Sequence, residues 1–147
     1  MFRITKNLCL MALLAMLAIS LAGCHRTDAE QQVRESIAAV AEAAEAGSAS
    51  DIGKALSEDF DGNQGDLDRR GLLNMVRVLT LRGEHIGVTL GPVSVEPRGE
   101  RLVATFTVSL SSGSGSLLPD RLGVYQVETA WREEQGEWLC YVASWKR

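Results

Sequence analysis

The sequence predicts an α+β domain, with N-terminal helices packed on a curved antiparallel sheet. Three observations carry that prediction. Between Asp28 and Arg82 the apolar residues recur at three- and four-residue steps. After Gly83 the period changes to two and holds to Trp145. Helices first and strands afterwards is the order of an α+β fold, in which helices cover one face of an antiparallel sheet.

The stretch before the domain reads as an address. Arg3 and Lys6 precede an apolar run from Leu8 to Ala22 that only Ser20 interrupts. A basic start, a short apolar segment and small residues at its end describe a secretory signal. The run falls short of the ~20 residues a membrane-spanning helix needs. Leu21-Ala22-Gly23-Cys24 resembles the bacterial lipobox. That resemblance implies cleavage between Gly23 and Cys24, with the Cys24 thiol as the acceptor of a diacylglycerol. Acyl chains contribute about 0.8 kcal/mol per buried CH₂, and two or more give stable anchoring. The expected division is a signal peptide over 1–23, a lipidated cysteine and tether over 24–27, and one domain over 28–147. In such lipoproteins an aspartate after the cysteine commonly retains the protein at the inner membrane. Here the residue is His25, so the resemblance implies the outer membrane, on its periplasmic face.

Composition narrows the partners. Of 147 residues, 15 are basic and 19 acidic; without residues 1–23 the basic count falls to 13 and the formal charge is −6. A net negative domain of this kind argues against nucleic acid and against a polybasic grip on anionic lipid. The expected membrane contact is the acylated Cys24. With Cys9 removed and Cys24 lipidated, Cys140 stands alone and no intramolecular disulfide can form. It sits in an apolar strand pattern, far in sequence from His25 and His85, and reads as core filler.

Each element has its own signal. Thr27-Asp28-Ala29-Glu30 matches a capping box, so a helix is expected from about Asp28, with Val33, Ile37, Val40 or Ala41, and Ala44 on its apolar stripe and Gly47 as its stop. The tether from His25 to Thr27 then reaches only about 10 Å, at ~3.5 Å per residue. Asp51 is expected to cap a short helix carrying Ile52, Ala55 and Leu56. Asp59 to Asp66 reads as a turn with Phe60 as its apolar anchor. A third helix follows from about Asp68 to Arg82, burying Leu72, Met75 or Val76, and Leu79, and ending at Gly83.

Strands are expected over Ile86–Leu90, Val93–Val95, Leu102–Leu110, Leu122–Arg132 and Trp138–Trp145. Pro97 and Gly99 form one turn, and Ser111–Ser116 forms a Gly/Ser loop before Leu117-Leu118. For the last hairpin, a three-residue loop with Gly136 left-handed would place Glu133 opposite Glu137. Tyr125, Trp131, Leu139, Tyr141 and Trp145 would then share a face, with Trp138 near the outer face or rim. A four-residue loop would bring Trp138 and Cys140 to that face instead.

At this point the chain resembles the nuclear transport factor 2-like (NTF2-like, SnoaL-like, cystatin-like cone) superfamily. The residues that carry the resemblance are Ala55-Leu56-Ser57-Glu58-Asp59-Phe60 and the hairpin Val127 to Trp145. It spans nearly all of 28–147. Superfamily enzymes work in the mouth of the cone with Asp, His and Tyr, and many members have no catalysis. Pairing of sheets through their exposed face is frequent, so the resemblance implies a weak homodimer, with Val103, Thr105 and Thr107 making that face dry.

The chemistry available to an enzyme is thin. The faces assigned to the cone offer Tyr125, Thr129 and Tyr141, with Trp131 and Trp145 as apolar lining and Asp59 or Asp61 as a base that could point into the mouth. Asp59-x-Asp61-x-Asn63 begins like a calcium loop, but the sixth residue is Gln64 and the twelfth Arg70. No zinc set, phosphate loop or other cofactor motif is present, so no catalytic residue, metal ligand or cofactor is expected. The leading expectation is a non-catalytic module of the cell envelope, binding a small apolar ligand or an envelope protein. A lyase or isomerase acting on a small apolar substrate in the cone is the alternative.

Overall fold

The structure, a computed structural model, describes residues 28–113 and 121–147. The signal segment, Cys24, the tether, the Thr27 half of the capping box and Leu117-Leu118 lie outside these residues. The first helix, α1, runs over 28–45 and buries Val33 and Ile37 on the expected stripe. Gly47 ends it at φ 67°, with Ser48 N–H donating to Ala43 O (2.8 Å) and Gly47 N–H to Ala44 O (3.1 Å). This paired closure needs a left-handed residue, which glycine supplies without strain.

The short helix α2, Ala49–Lys54, is capped by Ser48 and not by Asp51. The Ser48 hydroxyl both accepts from Asp51 N–H and donates to the Asp51 carboxylate, which leaves Asp51 in the first turn. The third helix, α3, covers Arg69–Leu81, capped by Asp68, whose Oδ1 accepts from Gly71 N–H at 2.7 Å. It buries Leu73 and Val76, while Met75 stays exposed.

Among the described residues seven strands form one sheet: β1 (Leu56–Gly62), β2 (Leu67–Asp68), β3 (His85–Leu90), β4 (Ser94–Arg98), β5 (Arg101–Gly113), β6 (Arg121–Glu134) and β7 (Glu137–Lys146). Their spatial order is β2-β1-β7-β6-β5-β3, with β4 paired to β5 beside β3. The long β5 therefore gives one edge to β6 and divides the other between two strands. Gly91-Pro92 makes that division, with Gly91 N–H bonded to Thr107 O at 2.8 Å.

Two expectations change here. The stretch read as a turn around Phe60 is the strand β1, and it pairs with β7 in parallel, so the sheet is mixed. Ser111 to Gly113, read as loop, extends β5. Asp59 and Asp61 had hidden β1 by their turn-like chemistry, although Leu56, Phe60 and Gly62 are buried along it.

The last hairpin has neither expected loop length, and near its turn the faces are those of the four-residue alternative. Gln135 and Gly136, at φ 53° and 86°, form a two-residue turn that sets Glu134 opposite Glu137. Trp138 and Cys140 therefore join Trp131 on the inner face, facing the helices. A bulge then shifts the register between Ala130 and Trp131, so that Tyr141 turns to the outer face and Val127 meets Trp145. The bulge offsets the one-residue change at the turn, and Trp145 returns to the face of Trp131. The core joins Val33 and Ile37 of α1, Ile52 of α2, and Leu73 and Val76 of α3 to Phe60, Leu102, Ala104, Trp131 and Cys140.

Candidate functional site

The inner face of the sheet is where a ligand of a cone-shaped domain would lie, and there the polar groups of Trp131 and Thr129 bond to one another, while the fully buried Ser57 hydroxyl has no partner among the described residues. Trp131, 2% exposed, donates its indole N–H to Thr129 Oγ1 at 2.8 Å. Thr129 is also buried, and its hydroxyl donates to Ala104 O at 3.4 Å. Because Leu102, Ala104, Thr129 and Trp131 meet across adjacent β5 and β6, the chain of donors closes inside the sheet itself. A buried hydroxyl satisfied this way is held in place and has no proton demand left over.

Cys140 stands beside Trp131 in the β6–β7 ladder, and burial pushes its thiol up to about 12. At neutral pH it is a protonated, inert core group, which suits its place among apolar neighbours. Trp145 is half-buried and lies over Gly62, where an added Cβ would meet the ring at 2.8 Å. Tyr125 shares the inner row, with its ring over Gly123 and the Arg147 guanidinium 6.0 Å from the ring centroid. The structure thus puts Tyr125, Thr129, Trp131 and Trp145 on one face.

Two residues expected with them are elsewhere. Tyr141 faces outward because of the bulge; its hydroxyl lies 3.4 Å from Arg101 Nη1, and Arg132 stacks 4.9 Å from its ring centroid. Asp61 pairs with Val142 in the outer row, and its carboxylate accepts from Gly65 N–H at 2.6 Å. It closes the turn after β1 and is not aimed into the cone. The other residues of the apparent calcium loop are also separately engaged. Asn63 Oδ1 accepts from Trp145 N–H at 2.8 Å, and Asp59 faces Arg132.

Sequence reading missed the group assembled on the outer face. Arg132 donates to both carboxylate oxygens of Asp59 (2.5 and 3.2 Å) and, through Nε, to Glu134 at 2.7 Å. The Arg132 guanidinium holds the Asp59 carboxyl below the usual carboxylate range. Asp59 comes from a strand that was read as a turn, so nothing in the sequence paired it with Arg132. The outer face is accordingly less dry than expected: Val103 is buried, and Thr105 and Thr107 lie among Gln126, Glu128 and Lys146.

No protein-family model matches the sequence, and no curated protein matches it. Solved structures do match the fold. An NTF2-like protein with a cystatin-like fold from Novosphingobium aromaticivorans is 20% identical, with a TM-score of 0.69, covering 85% of each chain. A provisionally assigned dehydratase of the NTF2-like family from Streptomyces avermitilis is 18% identical, with a TM-score of 0.65, covering 82% of this chain and 95% of that one. An NTF2-like protein of unknown function from Pseudomonas putida is 16% identical, with a TM-score of 0.64, covering 82% and 87%. The chain therefore has the NTF2-like, cystatin-like α+β fold. At such identity the likeness is one of fold, and the fold hosts both enzymes and binding proteins.

Proposed function

We propose that this chain is a lipid-anchored module of a bacterial cell envelope whose NTF2-like domain binds a partner without catalysing a reaction. The observation that supports it best is the closed donor chain Trp131–Thr129–Ala104 O in the interior. An acid–base enzyme of this fold would need a carboxylate or imidazole poised toward a cavity. Here Asp61 closes a turn and Asp59 is ion-paired on the outer face. The anchor is Cys24, and His25 after it favours the outer membrane, on the periplasmic side.

Two measurements test the two halves of this reading. Labelled palmitate should enter the wild-type protein, and Cys24→Ser should abolish both incorporation and removal of residues 1–23. Normal processing of the variant would overturn the anchor. For the interior, the Trp131 indole N–H should exchange with solvent only through global unfolding. Exchange within minutes under native conditions would mean an open cone and would bring back the lyase or isomerase alternative.

A further inference from the structure

Helix α3 reverses the charge of the domain it belongs to. Over residues 69–82 it and its C-terminal cap carry Arg69, Arg70, Arg77 and Arg82 and no acid, within a chain whose charge after residue 23 is −6. Arg69 turns inward, donating to Gly53 O at 3.0 Å and approaching Glu58 at 3.6 Å. Arg77 donates to the neutral Asn74 Oδ1 at 2.8 Å. Among the described residues, Arg70, Arg77 and Arg82 have no carboxylate partner.

The same face carries large apolar residues that the core does not use. Met75 is 47% exposed, Val78 44% and Leu81 86%. At about 100° per residue, Arg77, Arg70, Leu81, Asn74, Val78, Arg82 and Met75 fall within one arc of roughly 160°, opposite buried Leu73 and Val76. Guanidiniums and bulky apolar groups therefore alternate across a single solvent face.

We infer that this face docks on the headgroups of an anionic phospholipid bilayer. Each half of the pattern needs that partner. Unpaired arginines attract phosphate, and apolar side chains between them reach the boundary of the acyl region, as on an interfacial helix. Arg70 also lies in the first turn, where the helix dipole is already positive and disfavours it within the isolated chain. An anionic surface offsets that repulsion. Nucleic acid is the poorer fit, because the interleaved groups here are aliphatic and offer no stacking plane.

α1 and α3 pack into the same core, and Thr80 of α3 meets Gly47 just past the C-terminal end of α1, about 27 Å along that helix from residue 28. The chain enters α1 at residue 28, four residues after Cys24, a span of at most about 14 Å. The average charge conceals this local excess of arginine. The inference rests on the proposed anchoring for nearness to the bilayer, and on α3 alone for the chemistry.

The test uses the mature acylated protein in vesicles of phosphatidylcholine, with or without phosphatidylglycerol. A nitroxide label on Leu81→Cys reports contact, since Cys140 is buried and its thiol protonated. Accessibility of the label to an aqueous relaxant should fall at least about fivefold when phosphatidylglycerol is present. A label on Glu100→Cys, in the turn between β4 and β5, should not change. Replacing Arg70, Arg77 and Arg82 together by glutamate should abolish the difference while the protein stays anchored. At about fivefold per basic residue near an anionic surface, neutralising the three alone weakens docking on the order of a hundredfold. Equal accessibility in both vesicles, or protection that survives the triple change, overturns the inference. If mass spectrometry shows Cys24 unacylated, the anchor fails separately. Flotation of the protein with the same vesicles then decides the docking face: phosphatidylglycerol-dependent flotation supports it, and its absence overturns it.

Discussion

Trp131→Ala is the substitution most informative about the interior. Trp131 is 2% exposed, sits between Leu102 of β5 and Cys140 of β7, and spends its only polar atom on Thr129. A tryptophan removes ~150–250 Å² from water, which at about 25 cal/mol per Å² corresponds to about 4–6 kcal/mol. Alanine retains part of that area, and the hole it leaves relaxes only in part, so measured truncations of this kind cost ~3–5 kcal/mol. Loss of the indole donor adds little, because Thr129 still has Ala104 O within 3.4 Å. The expected cost, about 4 kcal/mol, is a large share of the ~5–15 kcal/mol that holds a domain together. Trp138 and Trp145 are both half-buried on the same face, and their alanine variants should cost clearly less. Urea unfolding of the chain from Asp28 onward, followed by far-ultraviolet circular dichroism, measures all three. A Trp131→Ala midpoint giving less than ~1 kcal/mol, or a larger loss for Trp138→Ala, would refute the placement of Trp131 at the centre of the core.

Other outcomes follow from single contacts. Gly62→Ala would push a Cβ against Trp145 and Leu67 O, at 2.8 and 2.9 Å, and should cost ~1–3 kcal/mol as overpacking, read as a lowered Tm. Cys140 should resist thiol reagents at pH 8 until the protein unfolds. Its raised thiol also makes stability fall with alkali: the contribution is full below pH 9.0, where the unfolded thiol is still protonated, and is lost progressively as pH rises toward 12. Native labelling as fast as that of a free thiol would contradict both statements. A second copy could pair through the outer face, where Thr105 and Thr107 are exposed. Sedimentation at rising concentration should then show a weak dimer, and monomer throughout would exclude it.

The parts of the fold that depend on periodicity were legible in the sequence. Both glycine stops, Gly47 and Gly83, end their helices at φ 67° and 72°, and the change of period after Gly83 marks the start of β3. What escaped depended on pairing between distant segments. β1 is built from Leu-Ser-Glu-Asp-Phe-Asp-Gly, whose polar residues are those of a turn; pairing with β2 and, in parallel, with the distant β7 makes it a strand. The faces of β7 depended on a turn length and a bulge that cancel at one end of the hairpin and not in the middle. Trp145 therefore came out on the expected face while Tyr141 and Trp138 exchanged places. A one-residue slip reverses every side chain it touches.

The same physics explains why the site was harder to read than the fold. Asp61 and Asp59 are chemically suited to a base or a metal, and sequence spacing puts them together with Asn63. In the structure each is taken by a local need: Gly65 N–H, the Arg132 fork and Trp145 N–H respectively. A polar side chain is available for ligand chemistry only after the backbone and its charged neighbours have been satisfied, and that ledger is written in three dimensions. Inside the cone Thr129 and Trp131 satisfy one another, and the buried Ser57 hydroxyl is left without a partner. On α3, Arg70, Arg77 and Arg82 face solvent beside Leu81. The arginine charge left without a carboxylate partner therefore lies on the helical surface, and the proposed function looks outward, to a membrane and a partner.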